Sequence, residues 1–498
     1  MSANSFDLSS NLLSFRRTKI IATLGPATST PEILDELIAA GVDVFRLNFS
    51  HGTHESHAET FRLVKEAIAK SGRHVAVLGD LCGPKIRVGH FENGPIQLVE
   101  GAQITITVRK VLGNKDLIPS EYAHLAKDVV PGDKILMADG TRELRVENVQ
   151  DTEILCTVVR GGELSDRKGI NLPGVNISAP SFTEKDRDDA DFACKLGVDY
   201  LALSFVRAAK DIEELKQFIS DRGADIPVMS KIEKPEAIQN IEAIIKASDA
   251  IMIARGDLGV EMHAEEIPLI QKELTHLAIE NNRPVVVATQ MLESMIGSGT
   301  PTRAEVTDVA WAAMAGADAV MLSGETSVGK YPVQAVQTMD RIVRMIEGYQ
   351  YKSDRFLSLI HHEHTSDYED SLSSQILEGL SRSASKMTRE LNAKAIAVCA
   401  KTGTTTRMVS EERPPAPIMG LATDPRICAR MALYWGVYPV LVKEETIKAP
   451  WKYLSSILVE SGLYEGINKD RYLGRYVVLV TLRDFSMSLT PSIKLILD

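Results

Sequence analysis

The sequence predicts an α/β protein: a (β/α)8 TIM barrel with an inserted all-β lid domain and a C-terminal α/β domain. Three observations carry this. Eight apolar, strand-like runs occur between residues 19 and 325, most of them separated by a helical pattern. The helical rhythm vanishes between Val88 and Asn171. A fresh strand–helix alternation begins near Asp367. Near-continuous apolar strands between helices indicate a parallel sheet covered on both faces, and eight such units close into a barrel.

Composition sets the bounds. A chain of 498 residues has room for roughly two to four domains. An apolar content of 44% supports a large core. The formal net charge of −11 argues against nonspecific nucleic-acid binding, while leaving room for a local basic pocket. Five scattered cysteines read as free thiols in a reducing compartment rather than a zinc site. No apolar run is long enough to span a membrane, and the N-terminus lacks a basic region followed by a sustained apolar stretch. The expectation is a cytoplasmic protein with no nucleic-acid or membrane partner.

The eight strands are expected over 19–25, 44–50, 75–81, 200–206, 228–233, 250–255, 285–290 and 319–325. Helical patterns over 31–40, 54–71, 184–196, 211–221, 264–281 and 303–315 lie between them. Polar residues gather at the strand C-termini, where barrels of this kind keep their active sites: Arg46, Asn48, Ser50, Asp80, Lys231, Glu233, Asp257, Thr289 and Ser323. Solvation alone places a few charges at strand exits, but so consistent a set points to chemistry.

The stretch 228–261 shows the pattern best. A strand ends in Lys231-Ile232-Glu233, so Lys231 and Glu233 share a face. Pro235 suits the first turn of one helix, striped by Ala237, Ile238, Ile241, Ile244 and Ile245. The next strand ends in Arg255-Gly256-Asp257. If the two strands are parallel neighbours, Glu233 and Asp257 converge. Two hard oxygen ligands suit a Mg2+ that also holds a substrate phosphate or carboxylate, with the Lys231 cation beside it. The plainer alternative is ordinary polar residues at strand ends.

The third unit is interrupted. Alternating strands over 103–108, 134–138 and 154–159 are punctuated by Asn93-Gly94-Pro95, Pro131-Gly132-Asp133 and Asp139-Gly140, which read as turns. An insertion entered and left at the catalytic end of the barrel can close over substrate as a lid. The expected division is 1–17 as an N-terminal segment, 18–88 with 172–348 as the barrel, 89–171 as the lid and 349–498 as the C-terminal domain. In the last of these, 349–365 reads as a polar connection and 372–391 as a helix. Strands are expected over 393–400, 417–422, 437–442, 476–481 and 493–497. Between the first of these strands and the next helix stands Lys401-Thr402-Gly403-Thr404-Thr405-Thr406-Arg407. Amides at a helix start, hydroxyls and flanking cations make a phosphate nest. A capped helix start uses the same residues equally well.

Nine motifs now stand together: KIIATLGPA, VFRLNFSHG, GPKIRVG, KGINLPG, SKIEKPE, IMIARGDLGVE, ATQMLESM, TRAEVTDVA and VMLSGET. In this order and spacing the chain closely resembles the pyruvate kinase family over nearly its whole length. The resemblance implies a cytosolic glycolytic enzyme, usually a homotetramer, that moves a phosphoryl group from phosphoenolpyruvate to ADP and protonates the enolate to pyruvate. It assigns Mg2+ (or Mn2+) to Glu233 and Asp257. It places the substrate carboxylate at the metal, at the amides around Gly256-Asp257 and at Thr289, and Lys231 against the transferring phosphoryl group. Arg46 and Arg87 are implied as phosphate clamps, His51 and Lys168 as nucleotide contacts, and a water near Thr289 and Ser323 as the proton source.

The chain also departs from the family pattern. The family's monovalent-cation pocket matches Asn48, Ser50, Asp80 and the carbonyl of Leu81, but Lys85 stands where a glutamate is usual and Leu81 where a threonine is. K+ is therefore expected not to be required. Ser56 replaces an aromatic residue beside the nucleotide, which puts adenine stacking in doubt. No Walker-type glycine-rich loop is present, and the C-terminal SMSLTPSIKLILD lacks the glycine-rich loop that animal enzymes use with a sugar bisphosphate. The 401–406 loop remains a candidate for a phosphorylated allosteric effector. Two other readings stay open: a Mg-dependent, enolate-stabilising lyase or aldolase on the same barrel, and a non-catalytic phosphometabolite sensor.

Overall fold

The structure, a computed structural model, describes residue 13 and residues 15–352, 372–460, 476–481 and 492–497. Eight parallel strands close into a barrel: Lys19–Thr23, Val44–Asn48, Ala76–Asp80, Tyr200–Leu203, Val228–Ile232, Ala250–Ala254, Val285–Ala288 and Ala319–Leu322. The ring closes where Ile20 pairs with Val320 and Ala22 with Leu322. All eight expected strands are present, and each stops one to three residues before its expected end. At two exits the backbone leaves the extended region, with φ +54° at Phe205 and +69° at Thr289.

Side-chain alternation sorts the strand residues into two cores. Ile21, Val44, Leu78, Ala202, Met229, Met252, Val286 and Met321 fill the barrel interior. Ile20, Phe45, Val77, Leu201, Ile251 and Val287 face the surrounding helices. Successive side chains on a strand point to opposite faces. Arg46, Asp80, Ser204, Lys231 and Ser323 therefore continue the inward-facing series one or more steps beyond the apolar layers. The sequence spacing alone forces these polar groups into the mouth of the barrel.

The helix expected from Pro235 is two helices, Pro235–Gln239 and Ile241–Ala247. Asn240 separates them with its backbone out of the helical region (φ −106°, ψ 16°), and its side-chain amide donates to the Arg207 carbonyl at 2.9 Å. Asp257 lies in the first turn of a helix, Arg255–Glu261, rather than on a strand exit.

The insertion folds around its own core of Ile104, Ile106, Ile118, Ile135, Leu144, Val146, Ile154 and Val158. Its six-stranded sheet runs in the order Ile170–Asn171, Lys134–Met137, Arg142–Gln150, Glu153–Arg160, Gln103–Thr107, Leu117–Pro119. The Asp139-Gly140 turn joins two of these strands with positive φ at both residues, a geometry Asp and Gly tolerate well. The C-terminal sheet has the order Val437–Leu441, Ile418–Ala422, Ala395–Cys399, Tyr476–Thr481, Ser492–Leu497; only the last strand is antiparallel. The connection expected from residue 349 starts later, because the helix Pro332–Lys352 continues through it; the rest of that expectation lies outside the described residues.

The C-terminal domain docks on the closed end of the barrel, opposite the mouth. Lys19 Nζ donates to the Val437 carbonyl at 2.6 Å, and the Tyr200 hydroxyl to the Arg430 carbonyl at 2.8 Å. The Arg413 guanidinium bonds both Asp318 carboxylate oxygens at 3.2 and 3.0 Å. No helix among the described residues is long and apolar enough to cross a membrane.

Candidate active site

The mouth of the barrel holds a buried chain of charges. Arg46 Nε lies 2.6 Å from Asp80 Oδ2. Asp80 Oδ1 lies 3.4 Å from Lys231 Nζ, which in turn is 2.9 Å from Glu233 Oε1 and donates to Ser204 Oγ at 2.7 Å. The Ser204 hydroxyl in turn donates to the Leu81 carbonyl at 2.7 Å, and the Phe205 amide donates to Glu233 Oε2 at 2.7 Å. Burial alone would push the Lys231 ammonium toward neutrality; Asp80 and Glu233 outweigh it and hold its pKa above the ordinary value. Burial pushes the Asp80 carboxyl up, and Lys231 with Arg46 overcomes that and keeps it low. Asp80 Oδ1 is buried and accepts no hydrogen bond, so a cation-facing oxygen is left over.

Thr289 closes the other side. Its Oγ1 accepts from the Gly256 amide at 2.7 Å and donates to the Ala288 carbonyl at 2.5 Å. A β-branched residue at φ +69° is strained, and strain of this kind clusters at binding sites. Arg255 fixes the same corner, bonding Asp308 at 2.6 Å and the Thr289 carbonyl at 2.7 Å. The Ser323 and Leu292 amides donate to the buried Glu325 carboxylate at 2.7 and 2.9 Å, which sets the last exit.

Two clefts draw on residues of the mouth. One, of about 720 Å3, is lined by Thr23, Pro26, Arg46, Asn48, His51, Ser56, His57 and Ser323. Gly25 lets two loops touch at its rim: a Cβ there would come within 2.5 Å of the Ser327 carbonyl. The other cleft lies under the lid, with Lys85, Asn171, Arg207, Lys234 and Asp257 in its wall. His51 is held below its ordinary pKa by burial and then by Arg87, Lys85 and Arg46. The three cations around it give the cleft a local excess of positive charge suited to phosphates. Arg87 and Lys168 sit on adjoining segments where the lid leaves and returns: the Val88 amide donates to the Lys168 carbonyl at 2.8 Å, and Arg87 bridges Gly169.

The structure thus brings Arg46, Asp80, Lys231 and Glu233 into one cluster, with Asp257, Gly256 and Thr289 at its side. Asn48 Oδ1 accepts from the Ser50 amide at 3.1 Å, and the Leu81 carbonyl is engaged by Ser204. Lys85 is exposed and lines the cleft that holds Asp257. The donor set fits a divalent cation of the magnesium type: two carboxylates, Glu233 and Asp257, with the remaining positions left to substrate oxygens and water. No group of three or more His, Cys, Asp or Glu among the described residues forms a fuller cage. Sequence reasoning missed Ser204, Arg255 and Glu325. Ser204 was within reach, because it ends the fourth strand at an inward-facing position.

Lys401, Thr402 and Thr404 are exposed in the C-terminal domain, while Thr405 and Thr406 turn into it. The helix Thr404–Glu411 starts at Gly403 with φ +87° and has no side-chain cap. The helix start is therefore open, and the capping role the threonines were equally fitted for is not taken up.

A closed parallel barrel with carboxylates and clustered cations at its strand exits, under an inserted lid, defines a metal-dependent phosphotransferase of the (β/α)8 class. The family model "Pyruvate kinase, barrel domain" matches residues 15–336, and "Pyruvate kinase, alpha/beta domain" matches residues 378–470. The chain is 44% identical to a pyruvate kinase of Mycobacterium tuberculosis over 451 residues, covering 90% of this chain and 93% of that one. It is 45% identical over 421 residues to a pyruvate kinase of Corynebacterium glutamicum, covering 84% and 86%. A pyruvate kinase structure from Cryptosporidium parvum superposes with a TM-score of 0.86 at 35% identity, covering 99% of this chain and 97% of that one. The chain belongs to the pyruvate kinase family. It is a glycolytic phosphotransferase that uses a divalent cation, with phosphoenolpyruvate, ADP, ATP and pyruvate as its substrates and products. The lyase and sensor readings are not favoured.

Proposed function

We propose that this enzyme works with Mg2+, accepting Mn2+ in its place, and that it does not need K+. The observation that carries the site assignment is the Lys231 ammonium, buried 2.9 Å from Glu233 and 3.4 Å from Asp80 at the barrel exit. Glu233 and Asp257 would hold the divalent cation, which would supply positive charge to neutralise the substrate's oxygens.

The protein's own groups do the rest. Thr289 and the amides of Gly256 and Asp257 orient the substrate carboxylate. Arg46 and Arg87 grip phosphate, for which a guanidinium offers paired donors. Lys231 stands against the phosphoryl group as its bond to the enol oxygen breaks and its bond to the ADP terminal oxygen forms. A fixed cation placed there stabilises charge that develops in the transition state. His51 and Lys168 contact the nucleotide, and lid closure excludes water. The enolate carbon then takes a proton from a water held near Thr289 and Ser323.

Lys85 replaces the charge a monovalent cation would bring to Asn48, Ser50, Asp80 and the Leu81 carbonyl. We place the domain limits at 1–17, 18–88 with 172–348, 89–171 and 349–498, and take the active form as a cytoplasmic homotetramer. The loop of Lys401, Thr402, Gly403, Thr404, Thr405 and Thr406 binds the phosphate of an allosteric effector, in keeping with its open helix start. A coupled assay for pyruvate from phosphoenolpyruvate, ADP and Mg2+ in K+-free buffer tests the reading. Turnover is expected; its absence with both Mg2+ and Mn2+ rejects it.

A further inference from the structure

The two carboxylates assigned to the divalent cation are not held together by the sheet. The ladder between their strands ends where Ile232 pairs with Ile253, and Glu233 and Asp257 both lie beyond it. Each is anchored away from the other. Glu233 accepts the Phe205 amide, on the side of the preceding strand. The turn of Asp257 is tied to the following strand exit, where the Gly256 amide donates to Thr289 Oγ1 and Arg255 bonds the Thr289 carbonyl. Two like charges facing one site also repel until a cation stands between them.

A buried ion pair spans this gap. Lys234, the residue after Glu233, places Nζ 2.6 Å from Oε1 of Glu261, the last residue of the helix that opens with Arg255-Gly256-Asp257. Among the described residues no other side-chain hydrogen bond or ion pair joins 233–240 to 255–262. Glu261 Oε2 is buried and accepts no hydrogen bond, so this carboxylate depends on the Lys234 ammonium for its neutralisation. The lid bears on the same helix end. Asn171 Nδ2 stands 3.4 Å from Glu261 Oε1, and a Cβ on Gly140 would meet Val260 at 3.5 Å. A lid that moves would displace Asp257 through this helix unless the helix end is pinned.

We infer that Lys234 and Glu261 are positioning residues: their ion pair fixes the distance between Glu233 and Asp257 and so sets the affinity for the divalent cation. The inference rests on the assignment of that cation to these two carboxylates. The levers are short. One peptide bond separates Lys234 from Glu233, and Glu261 lies one helical turn beyond Asp257, on the same face. Groups that orient metal ligands without binding the metal are typically worth about 10–100-fold in metal affinity.

The test is Mn2+ binding to the intact enzyme without substrate, read from the paramagnetic resonance signal of free Mn2+. The dissociation constant should rise about tenfold in Lys234→Met and in Glu261→Leu. The double variant should be no worse than the weaker single, since all three break one tie. Each single variant leaves a buried charge unpaired and can fail to fold. The double variant removes both charges at similar volume, which folded proteins tolerate, and carries the test by itself. In kinetic assays excess Mg2+ should largely restore kcat in the double variant, because both ligands remain, and should not do so in Asp257→Asn. Unchanged Mn2+ affinity in the double variant, with a lower melting temperature and with Asp257→Asn losing the metal, overturns the inference and leaves the metal assignment standing: the pair is then structural only. A kcat that excess Mg2+ does not restore also overturns it. Unchanged Mn2+ affinity in both Glu233→Gln and Asp257→Asn overturns the metal assignment and the inference together.

Discussion

Lys231 Nζ and Glu233 Oε1 meet at 2.9 Å across the mouth of the barrel, two residues apart on one strand exit and both buried. The ammonium is therefore held in place before substrate arrives. Asp80 and Ser204 complete its seat, at 3.4 and 2.7 Å. A cation fixed in this way needs little reorganisation when charge develops beside it.

Lys231→Met is expected to lower kcat about a hundred- to a thousandfold, equivalent to roughly 3–4 kcal/mol of lost transition-state stabilisation. KM for phosphoenolpyruvate should move far less, because a contact made mainly in the transition state does not set ground-state affinity. Steady-state kinetics decide it: near-normal turnover removes Lys231 from the mechanism. The variant also leaves the buried Glu233 without its counter-ion, while Asp80 keeps Arg46 at 2.6 Å, so its melting temperature should fall.

Glu233→Gln and Asp257→Asn each take one negative hard ligand away while keeping size. Both should weaken Mg2+ binding and abolish most activity. Glu233→Gln should show the larger side effect on stability, because Glu233 also neutralises Lys231 and accepts the Phe205 amide. A Mg2+ titration that finds unchanged affinity in both variants rejects these ligands.

The open helix start at Gly403 predicts that phosphorylated metabolites shift the phosphoenolpyruvate saturation curve through the 401–406 loop. Thr402→Glu places a negative charge among those donors and should remove the response. Hyperbolic kinetics with every sugar phosphate and nucleotide tried would leave the loop with no regulatory role.

How legible this was in the sequence depends on how local each cause is. Strand identity and inward parity are local, so all eight strands and the convergence of Arg46, Asp80, Lys231 and Glu233 could be read from spacing. The strained backbone at Thr289 and the helix that carries Asp257 follow no parity rule, and only the fold shows them. The break between two helices at Asn240 accompanies a bond from its side chain to a carbonyl remote in sequence, that of Arg207. Ser204, Arg255 and Glu325 act through partners remote in sequence, which a single chain read in order does not pair. The docking of the C-terminal domain is long-range throughout, as Arg413 with Asp318 illustrates.

That interface predicts a pH dependence. Glu411 is buried between the domains, 3.1 Å from Arg413 Nη1, yet neither of its oxygens accepts a hydrogen bond. Burial first, and then Asp318, push its pKa up to about 8, against the opposing pull of Arg413 and Arg407. A carboxyl with a folded-state pKa above its ordinary value binds its proton more tightly when folded. Its contribution is fully present below the ordinary carboxylate range and is lost as pH rises toward 8. The slope from this one group reaches about 1.4 kcal/mol per pH unit. Lys19, buried and lowered to about 8, acts in the opposite sense only above that pH. Denaturation at pH 5 and 7.5 should show Glu411→Gln losing less stability than the parent over this interval. Equal losses would mean that Glu411 is ionised in the folded protein throughout.

Lys85 gives the last prediction. It stands five residues after Asp80, lines the cleft that holds Asp257, and adds to the positive field at His51. A glutamate at this position makes the neighbourhood negative enough to need K+, and the exchange to lysine alters local charge by two units. Were the Lys85 ammonium to swing to within about 4 Å of a bound K+, the two unit charges would repel by about 4 kcal/mol at an effective dielectric near 20, enough to disfavour K+ strongly at millimolar concentrations. The Leu81 carbonyl already accepts from Ser204, so one of the expected K+ ligands is engaged. Full activity is therefore expected with Mg2+ when K+ is replaced by tetramethylammonium at constant ionic strength. Lys85→Glu should acquire a K+ requirement. A tenfold or greater fall in kcat of the unmodified enzyme without K+ would show that the pocket still takes a monovalent cation and that Lys85 does not stand in for it.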